Sequence, residues 1–219
     1  MSSKLSTATL AAEPRDASAA TAVDGVRLSG LLLLILGAGF LTVSMLGASM
    51  APNYDYAGGA ISDLGVIRET AVLFNATLIM VGLLNIVGGY LFYRWHGRAW
   101  ILSIFVLGGL GALGAGVFPL SSGGLHSLFA LLAFVFFNVE AIAVAAVIAG
   151  PMRIVSILAG VVGLIFVVVM VIGDAGNPAI FGPIGHGGAE RMIAFPAMLW
   201  TVAFGGYLMA ARRESGEAS

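Results

Sequence analysis

Asp63, His126, Asp174, His186 and Glu190, with Arg191 beside the last, are the residues of this chain whose types could do chemistry together. Two imidazoles and several carboxylates are a donor set for a borderline divalent cation such as zinc or manganese. An ion held by His126, His186, Asp63 and Glu190 would lower the pKa of a bound water and turn it on an ester or amide. Without a metal, Asp63, His126, His186 and Glu190 remain candidate acid/base groups, Asp174 a substrate contact and Arg191 an anion contact. No spacing among them is diagnostic. His186 and Glu190 are four apart, but Gly187 and Gly188 lie between them and count against a helical turn there. Two histidines also admit a haem with axial imidazoles, although no other haem signal accompanies them. There is no cysteine, which excludes disulfides, thiolate catalysis and Cys-ligated zinc.

A purely architectural reading covers the same residues. Asp63 after Ser62 suits a cap at the start of the next helix. Glu190 suits the positive end of its own helix. Arg191 pairing with Asp63 or Asp174 would clip loops together and need no substrate. Apart from this group stands Glu140, deep in an apolar stretch, where an acid is costly and frequently functional. It reads either as the proton or cation site of a small-solute transporter or as a protonated group bonded to a neighbouring helix. Asn75, Asn85 and Asn138 are further polar residues within apolar stretches.

The elements that position these residues are six long apolar stretches. The chain of 219 residues is 59% hydrophobic and 10% charged, against about a quarter charged in a soluble domain. A lipid bilayer is therefore its solvent and partner, and no basic patch points to nucleic acid. The expected spans are 27–51, 70–93, 99–118, 125–149, 152–173 and 190–211, each near or above the roughly 20 residues that cross the hydrocarbon core. In lipid they must be helices, since an unpaired amide there costs several kcal/mol. The fold class expected is all-α: a polytopic bundle of six transmembrane helices. Gly108, Ala112 and Gly116 form a small-residue stripe for close helix packing, and Pro196 is expected to kink the last span.

Lys4, Arg15, Arg27, Arg94, Arg98, Arg153, Arg212 and Arg213 fall on one side of this topology, and only Arg68 and Arg191 on the other. The positive-inside rule puts the former in the cytoplasm with both termini, in the plasma membrane of the cell. The acids and two of the three histidines then lie on the outward face. His96, between Arg94 and Arg98, reads as a solvated interface residue. Residues 1–26, rich in Ala, Ser and Thr, are expected to be a disordered tail that is not cleaved. Residues 27–211 form the membrane domain, and 212–219 a second tail.

Ile61-Ser62-Asp63-Leu64-Gly65 after the first span, Phe118-Pro119 followed by His126, and Glu190-Arg191 followed by Phe195-Pro196 and Trp200 resemble domain-of-unknown-function family 998. That family consists of six-span membrane proteins of bacteria and archaea, and the resemblance covers nearly the whole chain after the tail. It is in turn distantly similar to the eukaryotic Frag-one and autophagy-modulator group, some of whose members are linked to lipid handling. The resemblance implies fold and topology rather than a reaction. The leading expectation is an outward-facing polar cluster that handles a lipid or lipid-linked substrate, with or without a metal. A transporter centred on Glu140 and a structural or interaction protein are the alternatives. Oligomeric state is left open.

Overall fold

The computed structural model describes the backbone of residues 14–211 and the side chains from Asp24 onward. Six α-helices carry the chain: α1 (Pro14–Met50), α2 (Ala71–His96), α3 (Ala99–Val117), α4 (Gly124–Val144), α5 (Pro151–Asp174) and α6 (Gly185–Met209). Three short 3-10 helices interrupt the longer loops: η1 (Ile61–Gly65), η2 (Leu120–Ser122) and η3 (Pro178–Ile184). All six α-helices are long and apolar enough to cross a membrane.

Each helix runs antiparallel to the next, and α6 returns to pack along α1, so the bundle closes into a ring. Small residues permit the tightest crossings. A Cβ on Gly30 of α1 would strike the backbone of Gly205 on α6, and one on Gly205 would strike Gly30 in return. Gly82 of α2 and Gly109 of α3 stand in the same reciprocal relation. Backbones this close gain van der Waals contact that lipid tails cannot match. Of the expected stripe, Gly116 lies against the α2 backbone, whereas Ala112 opens onto an internal cavity.

Polar ties add to this packing. Ser29 Oγ on α1 donates to Gly88 O on α2 at 2.8 Å, and Trp200 Nε1 on α6 to Ser156 Oγ on α5 at 2.7 Å. Asn138 Nδ2 on α4 donates to Ile193 O on α6 at 3.1 Å. Pro196, three residues further on, cannot donate the backbone bond to Met192 O. The helix nevertheless continues unbroken through Pro196 to Met209. Helix α5 lies on the outside of α4 and α6, and its Ile154, Leu158, Ile165 and Val168 are exposed, a surface suited to lipid.

The helix limits correct three expectations. Helix α1 starts at Pro14, so residues 14–26 are helical rather than structureless; proline at the first turn and the alanine-rich run after it favour a helix without any apolar period. Helix α4 ends at Val144 and not near residue 149, because the chain tightens into i to i−3 bonds at Ala145, Ala146 and Val147. Helix α6 begins at Gly185, five residues before Glu190. The remainder of the expected tails, 1–13 and 212–219, lies outside the described residues.

Candidate functional site

The loop between α1 and α2 folds onto the first turns of α6, and two side chains hold it there. Glu190 Oε2 accepts from the Ile61 amide at 2.5 Å, and its Oε1 accepts from Ser62 Oγ at 2.8 Å. Arg191 donates to Gly59 O at 3.1 Å and to the Tyr54 hydroxyl at 2.7 Å, while its guanidinium lies 3.8 Å from the centre of the Tyr56 ring. Tyr54 in turn donates to Ala60 O at 2.6 Å. Burial pushes the Tyr54 phenol above its usual range, against the opposing pull of Arg191, which keeps the hydrogen needed for that bond. Sequence reasoning passed over Tyr54, Tyr56 and Ser62; the Tyr54-x-Tyr56 pair in a loop beside a lone arginine was the available signal.

Gly187 and Gly188 belong to helix α6 after all. A side chain at Gly187 would collide with Gly59 O and with Arg191, and the Gly188 amide donates to Ala57 O at 3.2 Å. The glycines admit the loop backbone rather than breaking the turn. His186 and Glu190 therefore share one helix face, as residues four apart do. Arg191, one step round, faces the loop instead.

On the His186 and Glu190 side lies an open vestibule of about 440 Å³, walled by α4, α5, α6 and loop residues. Its polar walls are Ser62, His126, Ser127, Asp174, His186 and Glu190. Leu131 of α4 and Val171 of α5 also wall it and are 45% and 54% exposed, so the apolar part of its wall reaches the outer surface of the bundle. Behind it is a second cavity of about 60 Å³, lined almost wholly by apolar side chains such as Phe40, Phe74, Phe137 and Met198. This inner chamber has room beyond the ~10–15 Å³ one water needs. Ser62, His126, Ala130, Phe134 and Glu190 line both spaces, so the two meet there.

His126 is buried, at 4% exposure. Its Nδ1 is 2.8 Å from Phe118 O, a carbonyl that only accepts, so the proton sits on Nδ1. Its Nε2 is buried and has no protein partner. His186 Nε2 pairs with Asp174 Oδ1 at 3.2 Å on the rim.

Of the predicted site residues, His126, Asp174, His186 and Glu190 thus gather around one space. Asp63 does not: its carboxylate accepts from the Ala60 amide at 2.8 Å and caps η1 rather than α2. Arg191 makes no ion pair with Asp63 or Asp174 and is turned away from the vestibule. Among the described residues no group of three or more His, Asp or Glu is close enough to hold a metal ion, so the four candidate metal ligands do not form a centre. Glu140 lies elsewhere, fully buried between α2, α3 and α4. Its Oε2 accepts from Asn85 Nδ2 at 2.9 Å, and the same amide also donates to Phe105 O at 2.9 Å. It lines neither cavity.

Fold and site together define a multi-pass membrane protein, a six-helix ring with a two-part cavity at one end. The chain belongs to the family described as protein of unknown function (DUF998), whose profile matches residues 29–207. No curated protein and no solved structure matches it.

Proposed function

We propose that the protein binds an amphiphile, a lipid or lipid-linked molecule, with its polar end in the vestibule and its apolar part in the inner chamber. The observation that carries this reading is the junction at Ser62, His126 and Glu190, where a vestibule with several polar side chains on its wall meets a chamber lined almost wholly by apolar ones. Ligand sites of this kind are concave and mostly apolar, with a few convergent polar groups that fix orientation. By the sorting of basic residues, this end faces away from the cytoplasm, and both termini lie inside. Binding is the whole of the proposal; Glu140, on which the transport reading centres, lines neither space.

Ala130 sits at the junction and tests this. Wild-type protein purified from membranes should carry a discrete amphiphile detectable by mass spectrometry. Ala130→Trp, which fills the junction, should lose most of it while keeping the fold. Equal lipid content in the two proteins would contradict the proposal.

A further inference from the structure

The hydrogen-bond polarity of the vestibule narrows what its occupant is, given that it holds an amphiphile at all. Hydrogens on its polar walls are already committed. Ser62 Oγ donates to Glu190, Ser127 Oγ to Gly123 O at 3.4 Å, and His126 Nδ1 to Phe118 O. His186 Nε2 is turned to Asp174. Acceptors remain. His126 Nε2 is bare, and Glu190, holding one hydrogen on each oxygen, has lone pairs to spare. Asp174, with its side chain 57% exposed, has a second oxygen.

None of the residues walling the vestibule is Lys or Arg. The arginine next to Glu190 is held behind the wall by Tyr54, Tyr56 and Gly59. The amino ends of α4 and α6 also turn here, each equivalent to about half a unit charge; that of α6 begins at Gly185, next to His186. The α6 end is set against two acids on the wall and is partly spent on Ala57 O through the Gly188 amide.

We infer that the vestibule selects an amphiphile whose polar end donates hydrogen bonds, a primary amine or ammonium, over one that ends in a phosphate. An ammonium can donate to His126 Nε2, Glu190 or Asp174, wherever along the wall it settles, and meets no lysine or arginine there. A phosphate offers acceptors to acceptors and finds no arginine or lysine.

Three chain-matched probes separate the possibilities: dodecylamine, dodecanol and dodecyl phosphate, each titrated calorimetrically into the full chain in non-ionic detergent at neutral pH. The Ala130→Trp protein supplies the background for micelle partitioning. Wild-type protein should bind dodecylamine at least about tenfold more tightly than dodecyl phosphate, the scale of one charge-assisted hydrogen bond. Asp174→Asn, at the exposed rim and away from the loop clip, should reduce that preference several-fold, and Glu190→Gln should do the same if it folds. Phosphate binding as tight as amine would overturn the inference and leave the amphiphile reading standing. So would a preference that neither variant changes. Binding of all three probes at the Ala130→Trp background would remove both.

Discussion

Glu190 and Arg191 are consecutive residues with different tasks, because a helix turns about 100° between them. Glu190 faces the vestibule and accepts two hydrogens from the loop; Arg191 faces the loop and its tyrosines. Truncating either leaves buried partners unsatisfied, at about 1–3 kcal/mol per group. Arg191→Lys keeps the charge but loses the planar fork and the stacking on Tyr56. It should raise hydrogen exchange across residues 57–65 and spare the rest of the fold; an unchanged exchange pattern would contradict the clip. Tyr54 adds a pH dependence. Its phenol is raised above 10.0 in the folded state, so the native loop holds that proton more tightly than an unfolded one. The clip is therefore fully present below pH 10 and weakens as pH rises above it. Exchange in this loop should increase on the alkaline side in wild type, and Tyr54→Phe should abolish that added dependence. The convergence of His126, Asp174, His186 and Glu190 was legible because the loops sort them to one end of the bundle. The placement of Asp63 and Arg191 was not. Both are decided by which backbone groups of the loop come within reach, and residue type does not encode that.

At the level of elements, two devices hold the ring: glycine crossings and buried amides. Gly205 on α6 faces Gly30 on α1 where the ring closes. Gly205→Leu should force these helices apart and cost about 1–3 kcal/mol or more, seen as a lowered thermal midpoint in detergent. A midpoint equal to wild type would mean that α1 and α6 do not close the ring. Glu140 belongs to this scale rather than to the site. It joins α4 to Asn85 of α2, which also bonds the α3 backbone. Glu140→Gln should keep the thermal midpoint close to wild type and leave amphiphile carriage intact, while Glu140→Ala should lower the midpoint by several degrees. Loss of carriage in Glu140→Gln would reopen a role for this acid in function. The spans themselves were legible from apolar length. Their limits were less so: α1 extends back into an alanine-rich stretch with no apolar period, and α6 starts at glycines that ordinarily argue against a helix.

For the molecule as a whole, the six helices divide the work unevenly. Residues of α1, α2, α3, α4 and α6 surround the inner chamber, and α5 closes the vestibule from outside. Which end faces out rests on the charge sorting, and the absence of cysteine makes it easy to test. A cysteine at position 57 should react with an impermeant reagent added outside cells, and one at position 96 should not; the reverse would invert the topology. The two-part cavity itself was beyond sequence reasoning, since its chamber is lined by aromatic and small residues that read as ordinary core. The proposed amphiphile lies with its chain in that chamber. A photoreactive diazirine at the chain end of a bound amphiphile tests this most directly, with adducts mapped by mass spectrometry. Labelling at chamber residues such as Ala133, Phe137 and Ala197, lost in Ala130→Trp, is the predicted result. Adducts confined to lipid-facing positions such as Leu158 and Val168 would contradict it.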